Sequence, residues 1–178
     1  PDEWLQKRGG DYRSQKTYDV MTRYEQRLRA ANALDFDDLL VKTLQLFVEH
    51  PPVLEYYQGR FQYVHVDEYQ DTNHCQYMLI KLLAGEENSI FAVGDPDQSI
   101  YRWRGADINN ILDFSTDYRD GVELHLTQNY RSTQNILDAA NAVIAHNQAR
   151  RPKDLFTESG TGELIRVHQA DSDREEAA

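Results

Sequence analysis

Hydrophobic positions along this chain recur with two different periods, and the switches between them lay out the elements. In SQKTYDVMTRYEQRLRAA, residues 14–31, Tyr18, Met21, Tyr24 and Leu28 return at helical spacing and predict a helix with one apolar stripe. Asp35 is placed to cap a second helix whose stripe is Phe36, Leu39, Leu40, Leu44 and Phe47, and His50-Pro51-Pro52 stops it. FQYVHV, residues 61–66, is short, aromatic and β-branched and predicts a buried strand. A helix from about 72 to 83 follows, closed by Gly85, and then a second strand, SIFAV, at 89–93. A short helix over 109–114 and a third strand, VELHLT, at 122–127 come next. Ser132 is placed to cap a helix with the stripe Ile136, Leu137, Ala140, Val143 and Ile144. After Pro152, ESGTGELIRVHQA predicts a turn and one more strand, and the tail DSDREEAA opens like a helix.

This alternation of strands and helices predicts an α/β fold with a parallel sheet and helices on its faces. In such sheets ligands bind beyond the carboxyl ends of the strands. Three polar clusters fall there: Asp67-Glu68, Gly94-Asp95 and residues 128–131.

Composition narrows the reading. A chain of 178 residues is long enough to bury a core, as one domain or as parts of two. Its single cysteine, Cys75, excludes a disulfide framework and a Cys-rich zinc site. No stretch approaches the length of a membrane span, so a soluble, cytoplasmic protein is expected. The net charge of −11 argues against a nucleic-acid partner. The distribution softens that objection, because residues 1–30 are net positive and the acidity lies between 31 and 120.

A carboxylate at a strand end, such as Asp67, can hold a Mg²⁺ that bridges nucleotide phosphates, and its neighbour Glu68 can take a proton from an attacking water. An acidic strand-to-loop transition on any surface has the same composition. Gln98, in DPDQSIY, can donate to a γ-phosphate or position water, or simply belong to the Gly94-Asp95-Pro96 turn. Tyr101 and Trp103 alternate with Arg102 and Arg104, which suits stacking of unpaired bases; Trp103 as a core residue is the equal alternative. Tyr130 and Arg131 lie between a strand and a helix start, where an arginine reaches a phosphoryl group and a tyrosine covers a base; local capping and packing is the other reading. The six histidines show no metal-ligand spacing.

In this order, VDEYQDTN, VGDPDQSIYRWRGA and LTQNYRSTQNIL resemble motifs II, III and IV of superfamily 1 DNA helicases, nearest to the UvrD/Rep/PcrA group. ALDFDDLL, residues 33–40, resembles the family segment that precedes motif II, and the resemblance runs from about residue 15 to 170. It implies an ATP-dependent 3′→5′ helicase and single-strand translocase, with ATP and Mg²⁺ as cofactors and single-stranded DNA and duplex junctions as partners. It implies Asp67 on Mg²⁺, Glu68 as the base, Gln70 linking the nucleotide site to motif III, and Gln98 on the γ-phosphate. Tyr101, Trp103 and Arg104 would line the single-strand path. Tyr130 would stack on adenine, and Arg131 would be one of two arginine fingers. In the same terms, residues 1–32 resemble the end of a helical insertion, 33–124 the second half of a first RecA-like motor domain, and 125–178 the start of a second.

The chain departs from the family pattern in having no G-x-x-x-x-G-K-[ST], the loop whose backbone and lysine cradle phosphates. Motifs V and VI would lie beyond residue 178. The reading is therefore an interior piece of a longer polypeptide, with little ATPase activity alone and with unpaired sheet edges that invite self-association. Two alternatives stay open: the helicase subunit of an AddA/RecB-type helicase–nuclease, and a non-catalytic, single-strand-binding remnant.

Overall fold

A computed structural model describes residues 1–8, 10–85, 88–147, 153 and 155–177. By its internal contacts the chain forms two units, Pro1–Asp67 with Thr72–Val93, and Glu68–Asp71 with Gly94–Ala178.

The first unit opens with α1 (Asp2–Arg8) and α2 (Tyr12–Ala30). In α1, Asp2 and Glu3 sit in the first turn and Lys7 and Arg8 in the last, a charge order that complements the helix dipole. No stripe betrays so short a helix, and the periodicity misses it. Asp11 caps α2 by accepting from Ser14 N at 2.8 Å. Next comes α3 (Phe36–Glu49), capped as expected: Asp35 accepts from Asp38 N at 2.8 Å while Asp38 accepts from Asp35 N. The bond from Asp38 N, with a second from Tyr24 OH at 2.9 Å, holds the Asp35 carboxyl below the ordinary carboxylate range.

Pro51-Pro52 does end α3, but it also begins α4 (Pro51–Arg60), because proline at a first helical position surrenders an N–H that has no partner there. α4 carries no buried residue, so no apolar stripe announces it. Tyr57 of this helix lies 5.7 Å from the buried Phe47 ring and stacks on Phe61 at 5.8 Å. Strand β1 (Tyr63–Val66) follows, then α5 (His74–Ala84) and β2 (Ser89–Ala92). The strands pair in parallel, Tyr63 with Ser89 through Val66 with Ala92. Val64, Val66, Ile90 and Ala92 are the less exposed positions of each strand, which is the period-2 alternation of a sheet covered on one face. α5 packs on β1, and α3 packs on α4 and α5. Asn73 caps α5, accepting from Gln76 N at 3.0 Å and donating its own N–H to Gln76 Oε1 at 2.9 Å.

The second unit is built on Tyr69, which is fully buried. Its ring meets Phe114 edge-on at 5.6 Å, and Phe114 meets Tyr118 at 4.7 Å. Three 3₁₀ turns, Tyr69–Asp71, Pro96–Gln98 and Arg102–Arg104, are joined by α6 (Asn109–Leu112) and α7 (Phe114–Asp117). α8 (Gln134–Ile144) buries Leu137, and α9 (Asp173–Glu176) closes the chain.

Two expected strands do not form. Val122, Leu124 and Leu126 share one face, as their alternation predicts, yet they are exposed, and no ladder reaches them among the described residues. Leu164 and Val167 are likewise exposed in an extended stretch without a ladder. Strand propensity records packing on neighbours, and these segments have none to pack on. What pairs instead is one parallel bridge, Gln128 with Phe156. Ser132 is not the cap of α8 either. Thr133 holds that position without a side-chain bond, and the free N–H groups of Gln134 and Asn135 donate to the carbonyls of Gly160 and Thr161. The turn expected after Pro152 does form, as bends at Glu158, Ser159 and Thr161 with Gly160 and Gly162 at positive φ.

Gly94 sets how closely the turns of the second unit approach. A Cβ there would lie 2.6 Å from Gln70 Oε1, 2.8 Å from Ile111 Cδ1 and 3.1 Å from Tyr69 N. Gln70 is buried and bonded, so it cannot swing aside.

Gly94→Ala is therefore expected to destabilise the protein by about 1–3 kcal/mol, the usual cost of overpacking, in urea unfolding; an unchanged midpoint would refute the close packing. Asn73→Ala is expected to cost about 1 kcal/mol by loss of a helix cap, read the same way with an unchanged slope.

Candidate functional site

The carboxyl end of β1 delivers Asp67 and Glu68, both exposed. Asp67 closes the first unit's segment and Glu68 opens the second's. Glu68 has φ +51°, in the left-handed region that a non-glycine residue enters at a cost. That turn of the backbone carries the chain directly into the 3₁₀ turn holding Tyr69 and Gln70.

Gln70 is 1% exposed and every part of its amide is used. Nε2 donates to Glu68 Oε2 at 2.8 Å and, more weakly, to Asp71 Oδ2 at 3.4 Å. Oε1 accepts from Asp95 N at 3.0 Å, and the Gln70 carbonyl accepts from Ser99 Oγ at 3.3 Å. One side chain thus ties the Glu68 carboxylate to the loop that follows β2.

Asp95 is the next link. Its Oδ1 accepts from Asp97 N at 2.9 Å and from Lys153 Nζ, and its Oδ2 accepts from Gln98 Nε2 at 2.8 Å. Burial opposes ionisation of Asp95. The hydrogen bonds from Lys153, Gln98 and Asp97 N, with the Lys153 charge, outweigh that and hold the carboxyl below the ordinary carboxylate range. Lys153 also lies 4.0 Å from Asp97 Oδ2.

Past this loop, Tyr101 and the turn Arg102–Arg104 form an aromatic and cationic edge. The Tyr101 and Trp103 rings are 6.4 Å apart, and the Arg104 guanidinium lies 5.2 Å from the Tyr101 centroid and 4.9 Å from the Trp103 centroid. Trp103 is 75% exposed, so it is not a core residue. Gly105, at φ +89°, ends the turn in a conformation that glycine adopts without strain, its N–H bonding back to Arg102 O.

Tyr130 and Arg131 are exposed and lie in the loop before α8. Asn129 Oδ1 fixes that loop by accepting from Arg131 N at 3.0 Å and Ser132 N at 2.8 Å, and Tyr130 OH donates to Gln128 Oε1.

The structure therefore brings Glu68, Gln70 and Gln98 into one hydrogen-bonded chain through Asp95, and gathers Tyr101, Trp103 and Arg104 into another cluster. Tyr130 and Arg131 make their hydrogen bonds within 128–132. Sequence reasoning left Asp95 without a role and missed Lys153, which is 58 residues from its partner and carries no local signal. The central place of Asp95 had one available sign, its position directly after a strand and a glycine.

Among the described residues no group of three His, Cys, Asp or Glu side chains could hold a metal by itself. The exposed Asp67 carboxylate offers hard oxygen donors of the kind that would suit a Mg²⁺ ion. No helix of the described residues is long and apolar enough to cross a membrane.

Residues 1–119 match the UvrD/REP helicase N-terminal domain, and residues 124–178 match the UvrD-like helicase C-terminal domain. The ATP-dependent DNA helicase PcrA of Staphylococcus epidermidis strain RP62A is 53% identical over 175 residues, covering 98% of this chain and 24% of its own length. PcrA of Staphylococcus aureus strain Mu50 is 54% identical over 172 residues, 97% of this chain and 24% of its own. The chain thus spans about a quarter of the length of the curated relatives it matches. With both family domains matched in order across nearly all of its length, the chain belongs to the UvrD/REP helicase family.

Proposed function

We propose that this chain supplies the hydrolytic and coupling part of an ATP-driven, 3′→5′ DNA helicase that translocates along single-stranded DNA and opens duplex junctions. The observation that carries the reading is the buried Gln70 amide, bonded on one side to the Glu68 carboxylate and on the other to Asp95 N. A hydrolytic carboxylate and the loop leading to a base-stacking edge then share one inflexible strut.

Mg²⁺-bound ATP supplies the reactive phosphoryl group when present. Asp67 would hold the ion, which would offset phosphate charge, and Glu68 takes the proton from the attacking water. Gln98, exposed at the end of its 3₁₀ turn, offers its amide to the γ-phosphate, so its position differs with and without that group. Arg131 stabilises charge on the transferring phosphoryl, and Tyr130 stacks on adenine. Gln70 relays displacement between Glu68 and the Asp95 loop, and that loop runs on into Tyr101, Trp103 and Arg104, which grip bases and backbone of the single strand. The phosphate-cradling loop of the family is not among these 178 residues.

In architecture, residues 33–124 are read as the second half of a first RecA-like motor domain, 125–178 as the start of a second, and 1–32 as the end of a helical insertion. The protein acts in the cytoplasm, in DNA repair or replication.

The test is hydrolysis in a polypeptide of the relatives' full length that carries these residues. Glu68→Gln is expected to lower kcat for DNA-stimulated ATP hydrolysis by on the order of 10²–10⁴, the contribution of a positioned base, with nucleotide binding retained; an unchanged kcat would sink the assignment. The 178-residue chain alone is expected to show no turnover above background. On the DNA side, Trp103→Ala is expected to weaken binding of labelled oligo-dT about tenfold or more at about 50 mM salt, the loss of one stacked base. Equal anisotropy curves for the two proteins would remove Trp103 from the single-strand path.

A further inference from the structure

Among the described residues, Lys153 is a cation placed between two carboxylates of this loop, those of Asp95 and Asp97. Its ammonium binds Asp95 Oδ1, the oxygen that also accepts Asp97 N at 2.9 Å, and it faces Asp97 Oδ2 at 4.0 Å. The opposite oxygen, Oδ2, is left to accept from Gln98 Nε2 at 2.8 Å. Asp95 N is meanwhile held by Gln70 Oε1 at 3.0 Å. Both ends of Asp95, backbone and carboxylate, are therefore fixed from outside its own turn.

The consequence falls on the Gln98 amide. An ionised carboxylate only accepts, so it selects the NH₂ end of the amide and turns the carbonyl away. A protonated or freely rotating carboxyl loses that selection, since it can also donate to the amide oxygen. Holding Asp95 ionised and in one orientation thus decides which end of Gln98 is committed and which atoms stay open to a ligand. Lys153 meets both conditions, because its positive charge faces Asp95 and, at 4.0 Å, Asp97, and it pins the oxygen that Gln98 does not use.

We propose that Lys153 is a positioning residue for Gln98, locking the Asp95 carboxylate in the orientation that holds the Gln98 amide by its NH₂ group. This assignment rests on the reading of Gln98 as a nucleotide-contacting residue, and it adds a coupling partner to that reading. Lys153 lies in the stretch matched by the C-terminal family domain, whereas Asp95, Asp97 and Gln98 lie in the N-terminal one. The strut therefore joins residues that the two family domains contribute separately.

The experiment is ¹⁵N NMR of the Gln98 side-chain amide in the whole 178-residue chain, with Lys153→Met and Lys153→Arg beside it and circular dichroism as the folding control. In the unmodified chain the amide proton that Gln98 donates to Asp95 is expected to be shifted from its position in a free glutamine side chain and to exchange slowly. Lys153→Met is expected to speed that exchange several-fold and move the shift towards the free-glutamine position, and Lys153→Arg to restore both. An unchanged Gln98 amide in folded Lys153→Met overturns the proposal, and so does a failure of Lys153→Arg to rescue. A loss of thermal stability without a change at Gln98 would mark Lys153 as a packing residue and overturns it too. Should Lys153→Met not fold, Lys153→Gln, which keeps a donor for Asp95 but removes the charge, takes its place with the same outcomes. The readout needs no ATP turnover, so its failure removes Lys153 alone, whereas an active Glu68→Gln enzyme would remove the reading on which it rests.

Discussion

The buried amide of Gln70 is the constraint on which the rest of the second unit depends. A primary amide shut away from water must have its donors and its acceptor matched, or each orphaned group costs about 1–3 kcal/mol. Gln70 meets that demand only if Glu68, Asp71 and the backbone of Asp95 stand where they do. The requirement propagates outwards. Asp95 N reaches Gln70 Oε1 at 3.0 Å next to a Gly94 that has no Cβ, and a Cβ there would stand 2.6 Å from the same oxygen. Glu68 reaches back to Nε2 only because its backbone takes a positive φ. A strained residue and an obligatory glycine, at the ends of two different strands, serve one side chain.

Rigidity of this kind bears on coupling. A strut communicates position only if it cannot absorb the displacement itself. Exposed ion pairs and long side chains absorb displacement readily, because solvent competes for their partners and their rotamers are free. A buried, fully bonded amide gives up at least one hydrogen bond if either end moves alone. On the proposed reading, movement of the Glu68 end is passed to the Asp95 end, and from there to Gln98 through one further hydrogen bond. The edge formed by Tyr101, Trp103 and Arg104 begins three residues later in the same chain. Little slack lies between the carboxylate and the aromatic rings.

What the sequence disclosed follows from which forces are local. Helices α2, α3, α5 and α8 were legible because their signals, an apolar stripe, a cap or a closing glycine, lie within or beside the segment. Asp35 and Asn73 form their capping boxes with residues three positions away. β1 and β2 were legible for the same reason, each being a short apolar run between turn signals. The stretch 122–127 had the right alternation and still made no strand, because a strand is completed by a neighbour and its own residues cannot supply one. α4 was hidden by a rule read in one direction only: Pro51 ends one helix and begins the next. At the site, the clusters at strand ends were legible from composition, whereas the Gln70 bridge and the Lys153 strut depend on pairs 25 and 58 residues apart.

Net charge was the weakest of the sequence signals, and the structure explains why. A balance of −11 describes the far field, which steers partners over distances comparable to the screening length, about 10 Å in ordinary salt. Contacts with a base or a phosphate are made within a few ångströms, where the local set of groups decides. Around Asp95, among the described residues, that set pairs the Asp95 and Asp97 carboxylates with the Lys153 ammonium, which offsets part of their charge. At the Tyr101–Trp103 edge it is an arginine lying against two aromatic rings, about 5 Å from each, with no acid among the residues that form the turn. An acidic protein can therefore present a cationic, aromatic surface to a polyanion, provided its carboxylates are occupied elsewhere. In this chain those of the Asp95 loop are occupied by Lys153, Gln98 and backbone N–H groups.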